Sequence, residues 1–84
     1  MTRQPRLTHR QQQRKDNARL IYNYICNFDA EYGYPPTITQ IADACFMSRT
    51  TVVRHLDWLE AWGYLWREPG LPRAITIIDP KRRL

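Results

Sequence analysis

The chain has 84 residues, enough for one small domain. It is 43% hydrophobic and 25% charged, which suits a packed core better than a disordered chain. Thirteen Lys+Arg against eight Asp+Glu give a net charge of +5 and a pI near 9.7, a balance that favours an anionic partner. No apolar run approaches the ~20 residues of a membrane span, the polar N-terminus lacks a secretory signal, and the chain is too short for the repeated strand–helix units of a large cofactor-binding enzyme.

Residues 1–15 carry Arg3, Arg6, Arg10, Arg14 and Lys15 with no acidic residue. They read as a basic flexible arm, of which Arg14 and Lys15 are candidate contacts to a DNA backbone. Thr8 and Asp16 are alternative helix caps. Ile21, Tyr24, Ile25, Phe28 and Tyr32 recur at helical spacing and predict a first helix with one apolar stripe, ended by Gly33 and by Pro35-Pro36.

Thr37 followed by Gln40 is a capping box that opens a short second helix, with Ile38, Ile41, Ala42 and Cys45 as its apolar face. Phe46-Met47-Ser48 turns the chain into a third helix, capped by Ser48 and stopped by Gly63. Its β-branched run, Thr50 to Val53, is poor in helix propensity, so packing has to hold this helix.

After Gly63 the period changes to two. Tyr64–Arg67 and Ala74–Ile78 predict strands, and Pro69-Gly70 suits a type II turn between them. The fold class expected is mainly α with a small β-hairpin: a three-helix winged helix-turn-helix over residues 16–78, followed by a basic tail at 79–84.

At about 100° per residue, Val52, His55, Leu56 and Leu59 of the third helix share one arc, and Arg49, Thr50, Val53, Arg54 and Asp57 share the other. The outer arc offers guanidinium, hydroxyl and methyl groups, the chemistry that reads the major groove. The free amides at Ser48 and Arg49 suit a phosphate. Thr37, Arg67 and Arg73 are expected on the DNA backbone, the last two from the wing.

Several motifs resemble the N-terminal DNA-binding domain of the LexA repressor family. They are Leu7-Thr8, Gly33-Tyr34-Pro35-Pro36-Thr37, Ile41-Ala42, Thr51-Val52, His55-Leu56, Leu59-Glu60, Gly63-Tyr64-Leu65 and Pro69-Gly70-Leu71-Pro72-Arg73-Ala74-Ile75. The resemblance covers about residues 17–78. It implies operator binding and repression, with bases read by Ser48, Thr50, Thr51, Val53 and Arg54. Leu7-Thr8 lies farther from Gly33 than the family spacing, which leaves an extended first helix or a coincidence. Phe46 stands where the family usually has a glycine that tolerates a left-handed backbone, so the resemblance implies a reshaped turn. The family's Ser-Lys self-cleavage domain has no counterpart here, so self-cleavage is not expected of this chain.

The reading is therefore a sequence-specific regulator of transcription that occludes a promoter, bound to double-stranded DNA. Its recognition helix spans about residues 48–62 and its wing about residues 64–78. The alternative is a winged-helix protein-interaction module in which Trp58, Trp62 and Trp66 form a patch for a homodimer or another protein. Cys26 and Cys45 read as small buried apolar residues in a reducing cytoplasm. No metal pattern, phosphate loop or pair of catalytic carboxylates is present, so no enzyme activity, cofactor, metal or small-molecule ligand is expected.

Overall fold

The first helix starts well before its apolar stripe. In the computed structural model, which describes residues 8–71, 74–82 and 84, α1 spans His9–Tyr32. Thr8 is its cap: the Gln11 N–H donates to Thr8 Oγ1 at 3.1 Å, and the Thr8 N–H donates to Gln11 Oε1 at 2.9 Å. This reciprocal pair satisfies two amides that would otherwise lack partners. Residues 9–15, expected within a flexible arm, are thus the opening turns of α1. The first helix is extended at its start as far as the Thr8 cap, while Leu7 lies outside the described residues. Asp16 sits inside the helix instead of capping it, bonded to the Gln12 amide at 3.0 Å and 3.9 Å from Arg19. Gly33 ends the helix at φ 81°, its N–H donating to Asp29 O at 2.8 Å.

The stripe of α1 is narrower and shifted. Ala18, Ile21, Tyr22 and Ile25 are buried, whereas Tyr24 and Phe28 are half-buried and Tyr32 is exposed. The aromatic rings at that end instead associate with one another and with Tyr34, Phe28 and Tyr32 lying 4.5 Å apart by centroid. Tyr22 donates its hydroxyl to Asp79 O at 3.1 Å and meets Tyr64 edge-on, which holds the tail to the core.

Helix α2 spans Ile38–Cys45 and repeats the same cap, Thr37 with Gln40. It ends on Phe46, the sole non-glycine residue with positive φ among the described residues (φ 56°, ψ 47°). The Met47 N–H donates back to Ala42 O at 3.0 Å, the six-to-one bond that goes with a left-handed helix terminator. The turn is not reshaped to avoid the strain: phenylalanine adopts the left-handed backbone, at a cost of about 1–2 kcal/mol.

Helix α3 spans Arg49–Ala61 and is capped by Ser48, whose Oγ accepts from the Thr51 N–H at 3.1 Å. Val52, Leu56 and Leu59 are fully buried against Ile21 and Ile25 of α1 and Ile41 of α2. This packing offsets the weak propensity of the β-branched run. His55 joins the buried face; its Nδ1 lies 2.7 Å from Thr51 O, and its Nε2 is buried without a partner. The end of α3 repeats the six-to-one bond, Tyr64 N–H to Leu59 O at 2.9 Å, here with Gly63 as the left-handed residue at φ 82°.

Strands β1, Leu65–Arg67, and β2, Ile75–Ile77, pair antiparallel with Leu65 opposite Ile77 and Arg67 opposite Ile75. The strands are shorter than the expected runs. The Pro69-Gly70 turn joins them with Gly70 at φ 82°, the conformation required at that place. Successive strand residues face opposite ways. Leu65 and Ile75 therefore point into the core, Arg67 shares their face, and Trp66 and Thr76 point outward. Three helices carrying a two-stranded wing make this a winged helix-turn-helix.

Candidate nucleic-acid interface

Burial of Val52, His55, Leu56 and Leu59 fixes the rotation of α3. The opposite arc must then face outward. Arg49, Thr50 and Arg54 are exposed there, and Val53 is half-buried between them. Ile38 from the start of α2 joins Arg49, Thr50 and Val53 around an open groove of about 390 Å³. Neither the Arg49 nor the Arg54 guanidinium makes a hydrogen bond or an ion pair among the described residues. Two free guanidiniums thus flank methyl and hydroxyl groups at the amino end of one helix, where the backbone amides also point outward.

The other two expected base-reading residues are partly occupied. The Ser48 hydroxyl accepts the Thr51 amide and donates to Thr51 Oγ1 at 2.8 Å. Ser48 is exposed and Thr51 half-buried, so they shape the start of the helix and leave few polar positions for a ligand. Thr37 is similarly occupied: its hydroxyl caps α2 by accepting the Gln40 amide, and it is half-buried.

Arg67 does not reach out from the wing. Placed on the inner face of β1 by strand alternation, it folds onto α3. Its Nη2 pairs with Asp57 Oδ1 and lies 3.5 Å from Glu60 Oε2, and its backbone N–H donates to Glu60 Oε1 at 3.0 Å. The pair sets a positive charge beside Asp57, a carboxylate on the outer arc of α3 that would repel phosphate. It also leaves the Arg67 Nε buried without a partner. Counting residues from the buried Leu65 in steps of two could have found this inward placement. Arg73, the other expected wing contact, lies outside the described residues.

Arg14 and Lys15 are grouped with the carboxyl half of α3, about 15–20 Å along the helix from Ser48. The Arg14 guanidinium sits 4.2 Å over the Trp58 ring, and Trp58 stacks on Trp62 with 6.5 Å between centroids. His55 presses edge-on against the same Trp58. Arg14, Lys15, Trp62, Tyr64 and Arg82 border a cleft of about 460 Å³ there. Arg82, which sequence reasoning missed, stacks 4.0 Å over Tyr64 and donates to Gly63 O at 3.1 Å. Trp66 is exposed on the outer face of the hairpin, and among the described residues its ring does not pack on Trp58 or Trp62.

The remaining chemistry is quiet. Burial pushes the Cys45 thiol up, and burial first, then nearby acidic groups, does the same to the Tyr24 hydroxyl, the reverse of an activated nucleophile. Cys45 is buried as expected, while Cys26 is half-buried. No helix among the described residues is long and apolar enough to cross a membrane.

Comparison with known proteins falls on the same region. Residues 4–74 match the LexA DNA binding domain family. The chain is 47% identical over 60 residues to a LexA repressor of Desulfitobacterium hafniense, covering 70% of this chain and 29% of that protein. It is 37% identical over 65 residues to one of Clostridium perfringens (76% and 32%), and 45% identical over 60 residues to one of Staphylococcus aureus (70% and 29%). The chain thus matches about three tenths of the length of these relatives.

Proposed function

The chain belongs to the LexA DNA-binding domain family, and from that premise we propose that it is a sequence-specific double-stranded DNA-binding regulator that represses transcription by covering a promoter. The observation that carries this reading is the pair of unpaired guanidiniums, Arg49 and Arg54, beside Thr50 and Val53 at the amino end of α3.

In this reading the first half of α3 enters the major groove. An arginine can bond guanine through two parallel N–H groups, and the Val53 and Thr50 methyls suit a thymine methyl. The amides around Ser48 and Thr37 lie toward the sugar–phosphate backbone, and Ser48 and Thr51 keep the helix start in shape. The wing loop runs beside the groove, with Arg73 as its proposed phosphate contact. Arg67 serves differently, by holding the wing to α3 and neutralising Asp57. Arg14 and Lys15 contribute to the positive field that steers DNA, and no catalytic step is proposed. Two copies would place their α3 helices in successive grooves about 34 Å apart. The exposed Trp62 and Trp66 are the surfaces proposed for the contact between them.

Selection of duplexes from a random pool tests this directly. The expected result is an enriched motif with two related half-sites. On the enriched duplex, Arg54→Ala is expected to cost about 1–3 kcal/mol of affinity and to relax one base position. Equal loss on random duplex would reduce Arg54 to a phosphate contact, and failure to enrich any motif would overturn the proposal.

A further inference from the structure

Four residues among those described have positive φ, and three of them are Gly33, Gly63 and Gly70. The fourth is Phe46. Gly63 and Phe46 terminate their helices with the same six-to-one bond, from Tyr64 to Leu59 and from Met47 to Ala42. The chain therefore has the unstrained solution at one helix end and does without it at the other. Phe46 carries a second liability: its side chain is 94% exposed, so the ring gains nothing from the core. Backbone strain and an exposed aromatic ring at one residue, with no intramolecular return, mark a group kept for something outside the molecule.

Phe46 precedes the cap of α3 by two residues, which limits the Cα separation from Ser48 to about 7 Å. A duplex that receives the first turn of α3 would bring its groove rim near the turn that carries this exposed ring. The apolar surfaces there are the deoxyribose faces and the thymine methyls. We propose that Phe46 is an apolar DNA contact, its ring lying against the sugar or thymine-methyl surface at the rim of the groove that α3 occupies. This rests on the DNA-binding reading above and adds to it a residue outside the recognition helix. Because no phosphate is neutralised, the contact adds affinity without adding salt dependence.

The test uses the full chain with the duplex enriched by the wild-type protein. Phe46→Gly and Phe46→Asn both accept a left-handed backbone, and Phe46→Leu keeps apolar bulk. Thermal melting and fluorescence-anisotropy titration are run across a salt series. The Gly variant is expected to melt at or above the wild-type temperature, yet to bind 3- to 10-fold more weakly with the same salt slope. The Asn variant should bind as weakly, and the Leu variant should retain most of the affinity. Wild-type binding by both the Gly and Asn variants overturns the contact. So does a loss of affinity that appears only with a dimer-to-monomer shift in sedimentation, which would assign the ring to a second copy. Arg54→Ala run in parallel separates the two layers. Weakening there with none at Phe46 sinks the Phe46 contact alone, whereas no enriched motif for the wild type sinks both.

Discussion

The two halves of α3 treat their cations in opposite ways. At the amino half, Arg49 and Arg54 stand exposed and without partners. Toward the carboxyl half, arginines arrive from other elements and are all engaged: Arg67 with Asp57 and Glu60, Arg14 over Trp58, and Arg82 over Tyr64. Net charge does not distinguish these groups, but their surroundings do. A guanidinium with a carboxylate or a ring already beside it holds the fold together. One left in water has its donors available to a ligand.

This contrast can be broken or sharpened by substitution. The largest effect should come from beneath both halves: Leu56→Ala empties a fully buried position and is expected to cost about 2–5 kcal/mol in chemical denaturation. That is a large share of the roughly 4–12 kcal/mol available to a domain of this size. Both halves should be lost together, so a small cost would mean that α3 is not seated as described. Next is Arg67→Ala, expected to lower stability by about 1–2 kcal/mol, discounted because Asp57 is well exposed. DNA affinity should also fall, because Asp57 loses its counter-charge. A variant that melts and binds like the wild type would remove Arg67 from the structural group. Ser48→Ala should cost about 1 kcal/mol through loss of the cap, read as a lower melting temperature with the helix start frayed. Smallest of all is the effect of Arg54→Ala on folding, within about 0.5 kcal/mol, against its large expected effect on DNA. A marked drop in melting temperature for Arg54→Ala would erase the distinction between the two halves.

The helices and the hairpin were legible because each has a local signal. The Thr37…Gln40 box, the Ser48 cap and the glycines after α1 and α3 bracket apolar residues at the right period. The outer arc of α3 was legible for the same reason, since helical spacing alone decides which residues face Leu56 and which face away. What stayed hidden depends on contacts distant in the chain. Arg67 looked like a turn-flanking wing cation because its partners, Asp57 and Glu60, belong to another element. Trp58 stacks on Trp62 through helical spacing, but spacing does not reveal that Trp66 lies on the outer face of the hairpin. The early start of α1 was signalled by Thr8 as a cap but was outweighed by the lack of apolar periodicity before Leu20. Capping and polar side-chain bonds continue a helix past the point where the core stops asking for it.

That overhang has a dynamic consequence. The buried residues of α1 begin at Ala18, so the turns from His9 to Lys15 are held mainly by their own backbone bonds, the Thr8 cap and the Arg14 stack on Trp58. Their amides should exchange with solvent hydrogen through small openings that leave the rest of the domain intact, while those beneath Leu56 wait for global unfolding. An incoming polyanion that settles on this segment would slow that exchange, turning a fraying helix end into an internal reporter of occupancy.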